Sequence, residues 1–159
     1  MRRLIKTRRS ERGFSLIELM IVIAIIGILI GVGIPAWRSS VIAANETAAI
    51  QNLRTIAAEQ RSYYIRHNNF GTFDQLIEAG GLDKTFAGES PSRDGYIYTL
   101  KVTAKTSNQP SSFATNADPQ VGEGLAATGK RHFYIGSDTN GVTANETQPA
   151  TAQDSPPGH

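Results

Sequence analysis

The residues with the most chemical potential sit where a basic arm meets an apolar run, at Arg12-Gly13-Phe14-Ser15-Leu16-Ile17-Glu18. Glu18 lies just inside that run. A carboxylate in lipid costs on the order of 3 kcal/mol at mid-membrane, and less near the interface. Glu18 therefore either snorkels to the surface or has a buried cationic partner. Downstream, Gly27 and Gly31 form G-x-x-x-G and Gly33 follows; small residues let helices approach closely in an apolar medium. Pro35 lacks a backbone donor and strains the turn before it, so Gly31, Gly33 and Pro35 mark the weakest part of this helix.

Other groupings carry less. Asp138-Thr-Asn140-Gly141 resembles a fragment of a calcium loop, but the later ligands of such a loop are missing, and a plain turn is the simpler reading. His67, His132 and His159 are scattered, and no Ser/His/Asp set has supporting spacing. Gly31-x-Gly33-x-x-Ala36 matches a relaxed dinucleotide fingerprint but lies inside the apolar run with no strand and turn before it. Asn45-Glu-Thr47 and Asn145-Glu-Thr147 fit the N-glycosylation pattern, which is short enough to arise by chance.

The elements that must position these residues begin with charge. The formal net charge is +2, yet residues 1–13 hold six of the 16 basic side chains and one of the 14 acids, leaving a net of −3 for the remainder. A basic arm before an apolar run marks the cytoplasmic end of a membrane segment. From Leu19 to Trp37 nineteen residues carry no charge, and at ~1.5 Å rise they span roughly 28 Å, close to the ~30 Å hydrocarbon thickness. Hydropathy alone leaves three readings: a membrane anchor, a cleaved signal peptide with small residues near Ala36 and Ala43–Ala44, or a buried core helix. The chain has no cysteine, which excludes a disulfide framework, a thiolate zinc site, a Cys nucleophile and an acylated lipoprotein cysteine.

Arg12-Gly13-Phe14-Ser15-Leu16-Ile17-Glu18-Leu19-Met20 resembles the prepilin processing site of type IV pilins and type II secretion pseudopilins, over about residues 8–37. The resemblance implies cleavage by prepilin peptidase between Gly13 and Phe14, N-methylation of Phe14, and retention of the apolar helix on the mature chain. It implies that Glu18 pairs with the freed amine of Phe14 in a neighbouring subunit. It also implies the partners: further copies in a self-polymer, minor pilins, an assembly platform with its ATPase machinery, and the membrane. The location implied is the inner membrane in a single pass, amino terminus cytoplasmic and head periplasmic, then a pilus or periplasmic pseudopilus after assembly. No cofactor is expected, with calcium at Asp138 and Asn140 as a minor alternative.

Beyond Trp37 the pattern turns amphipathic. Ile42, Ala49, Ile56 and Tyr63 recur every seven residues, Ala43, Ile50, Ala57 and Tyr64 run beside them, and Leu53 lies between. One helix from 14 to about 66 is expected, its first part (14–37) for membrane and polymer, its second (38–67) as spine of the head. Residues 68–93 read as a loop holding a short helix near 73–79, capped by Thr72 and Gln75 and stopped by Gly80-Gly81. Residues 94–145 read as antiparallel sheet, with strands at Tyr96–Thr103, around 111–116, around 131–136 and, after an Asn140-Gly141 hairpin turn, at 142–144. The tail from 146 to 159, rich in Pro, Thr, Gln, Ser and Gly, is expected to be disordered. The fold class is α+β: a long N-terminal helix packed on a small antiparallel sheet.

Three functions remain open on these grounds. The first is a structural subunit of a type IVa-like pilus. The second is a major-type pseudopilin of a type II secretion system, since the disulfide loop of many type IVa pilins cannot form here. The third is a DNA-binding minor pilin, for which Arg93, Lys101, Lys105, Lys130 and Arg131 are the only candidates for a basic stripe. Nucleic acid is not an expected partner, and an enzyme is the least supported class.

Overall fold

The computed structural model describes residues 13–124 and 126–158. Apart from Gly13, the leader at 1–13 lies outside the described residues, as does His159. The chain divides between Arg38 and Ser39 into two units. Beyond Ser15 the described part of the first unit is wholly helical, and its helix α1 is assigned over Leu16–His67. Helical backbone continues through Gly27, Gly31, Gly33 and Pro35.

The second unit contains the head. There α1 ends where Asn68 takes a left-handed conformation (φ 53°) and donates its N–H to Tyr64 O at 2.7 Å. Asparagine is one of the few side-chain-bearing residues that adopts this cap. Helix α2 follows at Phe73–Glu78, with the expected capping box: Thr72 Oγ1 accepts from Gln75 N, and Gln75 Oε1 accepts from Thr72 N. A single 3-10 turn at Lys84–Phe86 leads into the sheet.

The sheet has five antiparallel strands in chain order: β1 Ser92–Arg93, β2 Tyr96–Thr103, β3 Ser112–Pro119, β4 His132–Gly136 and β5 Thr143–Asn145. β1 lies within the segment 68–93 whose sequence reads as a loop. Arg93 pairs with Tyr96 across Asp94 (φ 52°) and Gly95 (φ 76°). Two positive φ values at a two-residue loop define the tight hairpin that Asp-Gly favours. The Asn140-Gly141 dipeptide does not form such a turn. Neither residue has positive φ, and pairing between β4 and β5 starts at Tyr134 and Thr143.

Ala49, Leu53, Ile56 and Ala57 of α1 join Phe73, Leu76, Phe86, Tyr96, Tyr98, Phe113, Ala117, Phe133 and Ile135 in one core. Each fully buried Leu, Ile or Phe contributes about 1.5–3 kcal/mol. Aromatic contacts organise it, including Phe86 edge-on to Tyr98 at 5.4 Å and Phe70 against Phe113 at 4.9 Å.

The expected disorder after Asn145 is not what the structure shows. Ala144 N donates to Ser155 O at 2.9 Å, Asn116 Nδ2 to Ala150 O at 2.8 Å, and Thr143 Oγ1 to Thr151 O at 2.6 Å. Ala150 is buried. The Asp154 carboxylate accepts from Thr151 N and Asn145 Nδ2, and these bonds hold its carboxyl below the usual range. Short polar side chains bonding nearby backbone do here what an apolar periodicity would do in a helix or strand.

Candidate functional site

The first unit presents an uncovered apolar surface. Every residue from Gly13 to Trp37 is exposed, including Phe14 at 84%. The segment is long and apolar enough to cross a membrane. Leu16, Ile17, Leu19, Met20 and their successors to Trp37 point to all sides of the helix. A helix apolar all round needs lipid or other helices as its surroundings.

Glu18 lies in the first turn of α1. A carboxylate there is favoured by the partial positive charge of the helix start. No charged or hydrogen-bonding side chain meets the Glu18 carboxylate among the described residues. Around Gly27, Gly31 and Gly33, nothing beyond the adjacent helix backbone lies within 4 Å of where a Cβ would stand. A second backbone could approach closely at these three positions. This segment thus carries Phe14, an acid four residues later at Glu18 and small residues at Gly27, Gly31 and Gly33, with no occupant among the described residues.

The head holds two polar attachments that sequence reasoning missed. Glu46 is buried on the core side of α1. Its carboxylate accepts from Lys130 N, from Arg131 N and from Arg131 Nε at 2.9 Å, with Arg131 Nη2 at 2.8 Å. Gln60 is fully buried, donating through Nε2 to Gly71 O at 2.6 Å and accepting from Gly71 N at 3.0 Å. Glu46 and Gln60 tie the spine to the start of β4 and to the loop after α1. The signal was available: Glu46, Leu53 and Gln60 are seven apart, on the same side as the apolar stripe.

The remaining candidates fall into local roles. His67 stacks on Tyr63 at 4.1 Å between ring centres, and His132 Nδ1 lies 2.6 Å from Asp118 Oδ1. Asn45 Nδ2 donates to Thr128 O and Asn145 Nδ2 to Asp154 Oδ1, so both sequon amides are engaged. Asp138 Oδ1 accepts from the Tyr134 hydroxyl at 2.9 Å, and Asn140 is exposed. Among the described residues no three His, Asp or Glu side chains converge. Burial pushes the Tyr98 hydroxyl up to about 12; burial and the neighbouring Asp138 do the same for Tyr134.

Comparison with known proteins bears on the first unit most directly. The family described as the prokaryotic N-terminal methylation motif matches residues 8–34. The chain is 36% identical over 86 residues to the type IV major pilin protein PilA of Myxococcus xanthus, covering 54% of this chain and 36% of that one. It is 42% identical over 92 residues to the type IV major pilin protein PilE of Neisseria gonorrhoeae, covering 58% and 51%. It is 33% identical over 98 residues to the type II secretion system core protein G of Pseudomonas aeruginosa, covering 60% of this chain and 68% of that protein. The chain belongs to the type IV pilin and type II secretion pseudopilin family. The matches span between about a third and two-thirds of these relatives' lengths. The methylation motif at residues 8–34 takes in Gly13, Phe14, Glu18, Gly27, Gly31 and Gly33 and most of the exposed segment.

Proposed function

We propose that the chain is a structural subunit of a type IV pilus that polymerises through its N-terminal helix and catalyses no reaction. One observation carries this reading: an apolar segment, uncovered from Gly13 to Trp37 and helical from Leu16, lies within and just beyond the methylation motif. Prepilin peptidase cuts between Gly13 and Phe14, on the cytoplasmic side, and Phe14 becomes the methylated amino terminus. The head then faces the periplasm. Assembly, driven by a platform and its ATPase and joined by minor pilins, moves the helix out of lipid and against other copies.

Glu18 sets the register of that exchange. An α-amino group has a pKa near ~8 and is largely protonated at neutral pH. Paired with Glu18 of the next copy, each charge offsets part of the other's desolvation cost in apolar surroundings; left alone, a buried charge bears it in full. Gly27, Gly31 and Gly33 allow close helix packing, and Pro35 loosens the helix after them.

A second reading, a major pseudopilin of a type II secretion system, is favoured by the 68% of the core protein G that the match covers and by the lack of cysteine. Electron microscopy of sheared surface material, labelled for this subunit, separates the two. Long labelled appendages are expected for a pilus. Subunits confined to the periplasm would support the pseudopilus, and subunits that never leave the membrane would overturn both.

A further inference from the structure

The head carries two exposed surfaces of opposite charge that the described residues leave unmatched. The first is the outer face of α1. Arg54, Ala58, Arg61 and Ile65 follow one another at spacings of four, three and four, all exposed, with Ile65 at 83%. Residues so spaced share one side of a helix. Neither Arg54 nor Arg61 has an ion pair or hydrogen-bond partner among the described residues. The helix's acids in this half are elsewhere: Glu46 is held by Arg131, and Glu59 lies against Gly81.

The second surface is a cleft of about 550 Å³ between α2 and β2. Phe73 and Leu100 supply carbon, Thr72 and Thr99 hydroxyls, and Asp74 and Glu89 carboxylates. No basic side chain lines it. Arg93, on the neighbouring strand β1, is engaged by Thr85, Asp94 and the face of Phe86. Asp74 accepts only a long bond from Gly88 N at 3.4 Å, and Glu89 has no partner among the described residues. The surrounding segment adds Glu78 and Asp83 against Lys84.

We propose that this cleft receives an arginine from the outer face of α1 of a second copy, Arg61 or Arg54. The inference rests on the reading of the chain as a polymerising subunit. An arginine fits both parts of the cleft: its stem covers apolar carbon, and its planar head meets carboxylates with paired hydrogen bonds. Ala58 and Ile65 lie beside the arginines as apolar contacts. The two patches differ from each other, so the contact is head-to-tail. Such a contact leaves one patch of each kind free at the ends and propagates into a helical assembly when it does not close into a ring.

The absence of cysteine makes the test direct. Two differently tagged full-length chains, one Arg61→Cys and one Glu89→Cys, are expressed together and oxidised in the membrane. A mixed-tag adduct is expected, well above that of Arg61→Cys with a control at Lys101→Cys. Adding Asp74→Arg to the Glu89→Cys chain lowers the adduct roughly tenfold, about 1.4 kcal/mol. Arg54→Glu in the other chain restores part of it. Adduct equal to the control overturns the proposal, as does a charge reversal without effect. Capture of a different protein at Glu89→Cys overturns the second-copy assignment. Filaments without the mixed adduct would sink this contact alone, while the adduct without filaments would sink the pilus reading and leave the contact standing.

Discussion

From Leu16 to Trp37, α1 leaves every side chain uncovered, whereas from Ala49 to Gln60 it buries Ala49, Leu53, Ile56, Ala57 and Gln60 almost completely. Both stretches are regular helix and contain few charges, yet they differ in what surrounds them. The later stretch has carbon on one side and polar residues on the other, so a sheet of its own chain can cover it. The earlier stretch has carbon all round, which a single sheet cannot cover. Its stability depends on lipid or further helices, and it is therefore the part whose surroundings can be exchanged. Two acids of the helix follow the same rule. Glu46, just before the later stretch, meets Arg131 within the head, while Glu18 has no partner among the described residues.

The sharpest break of this comparison comes at Glu18. Glu18→Ala is expected to be processed and retained in the membrane, yet to lose filament yield by about tenfold or more, because breaking a buried ion pair costs ~3–5 kcal/mol. The head's melting temperature should be unchanged; a drop would mean that Glu18 serves folding, as Glu46 does. The converse holds for Glu46→Ala. It leaves Arg131 and two backbone N–H groups short of a partner, and the partial exposure of Arg131 moderates the loss to about 2–3 kcal/mol. Thermal unfolding of the head in detergent would measure it, while membrane retention stays intact.

Gln60→Leu sharpens the same contrast within the head. It keeps the apolar volume but strands both polar groups of Gly71, at a cost of about 1–3 kcal/mol. An unchanged melting temperature would deny Gln60 its role as an anchor.

Sequence patterning carried the architecture a long way and stopped at identifiable places. The periodicity at Ile42, Ala49, Ile56 and Tyr63, the Thr72 capping box and the alternation from Tyr96 to Val102 were all readable, because each is a local pattern with a fixed period. The seven-residue spacing of Glu46, Leu53 and Gln60 marks the side they occupy, but their partners, Arg131 and Gly71, were not readable, because tertiary contact chooses them. The tail after Asn145 lacked any period and was misread; its order comes from Asn116, Asn145 and Asp154 bonding backbone and side chains. Asp94-Gly95 and Asn140-Gly141 are nearly equivalent as dipeptides, yet only the first forms a two-residue hairpin, since strand register decides which turn closes. The candidates at Gly13, Phe14 and Glu18 stand out in the sequence because a basic arm meets an apolar run that holds one acid, and their roles belong to the proposed assembly.

Smaller effects test the head alone. Burial raises the Tyr98 and Tyr134 hydroxyls to about 12, above the ordinary ~10. Between these values the unfolded chain has released protons that the folded head still holds, so stability falls as pH rises from about 10 to about 12 and is flat just below. Melting curves across that range should show the decline, reduced in Tyr98→Phe. Smallest is Thr115→Val. The Thr115 hydroxyl is buried with no partner among the described residues, so removing it should be neutral or stabilising by up to ~1 kcal/mol. A clear loss of stability would reveal a bond to that hydroxyl.

The account depends most on the uncovered helix remaining part of the working protein. Intact mass and N-terminal sequencing of the mature subunit, taken from assembled material, measure this directly. The expected chain starts at Phe14, carries one added methyl group and retains everything through Trp37. A mature chain starting beyond Ala36, with the apolar segment discarded, would contradict it.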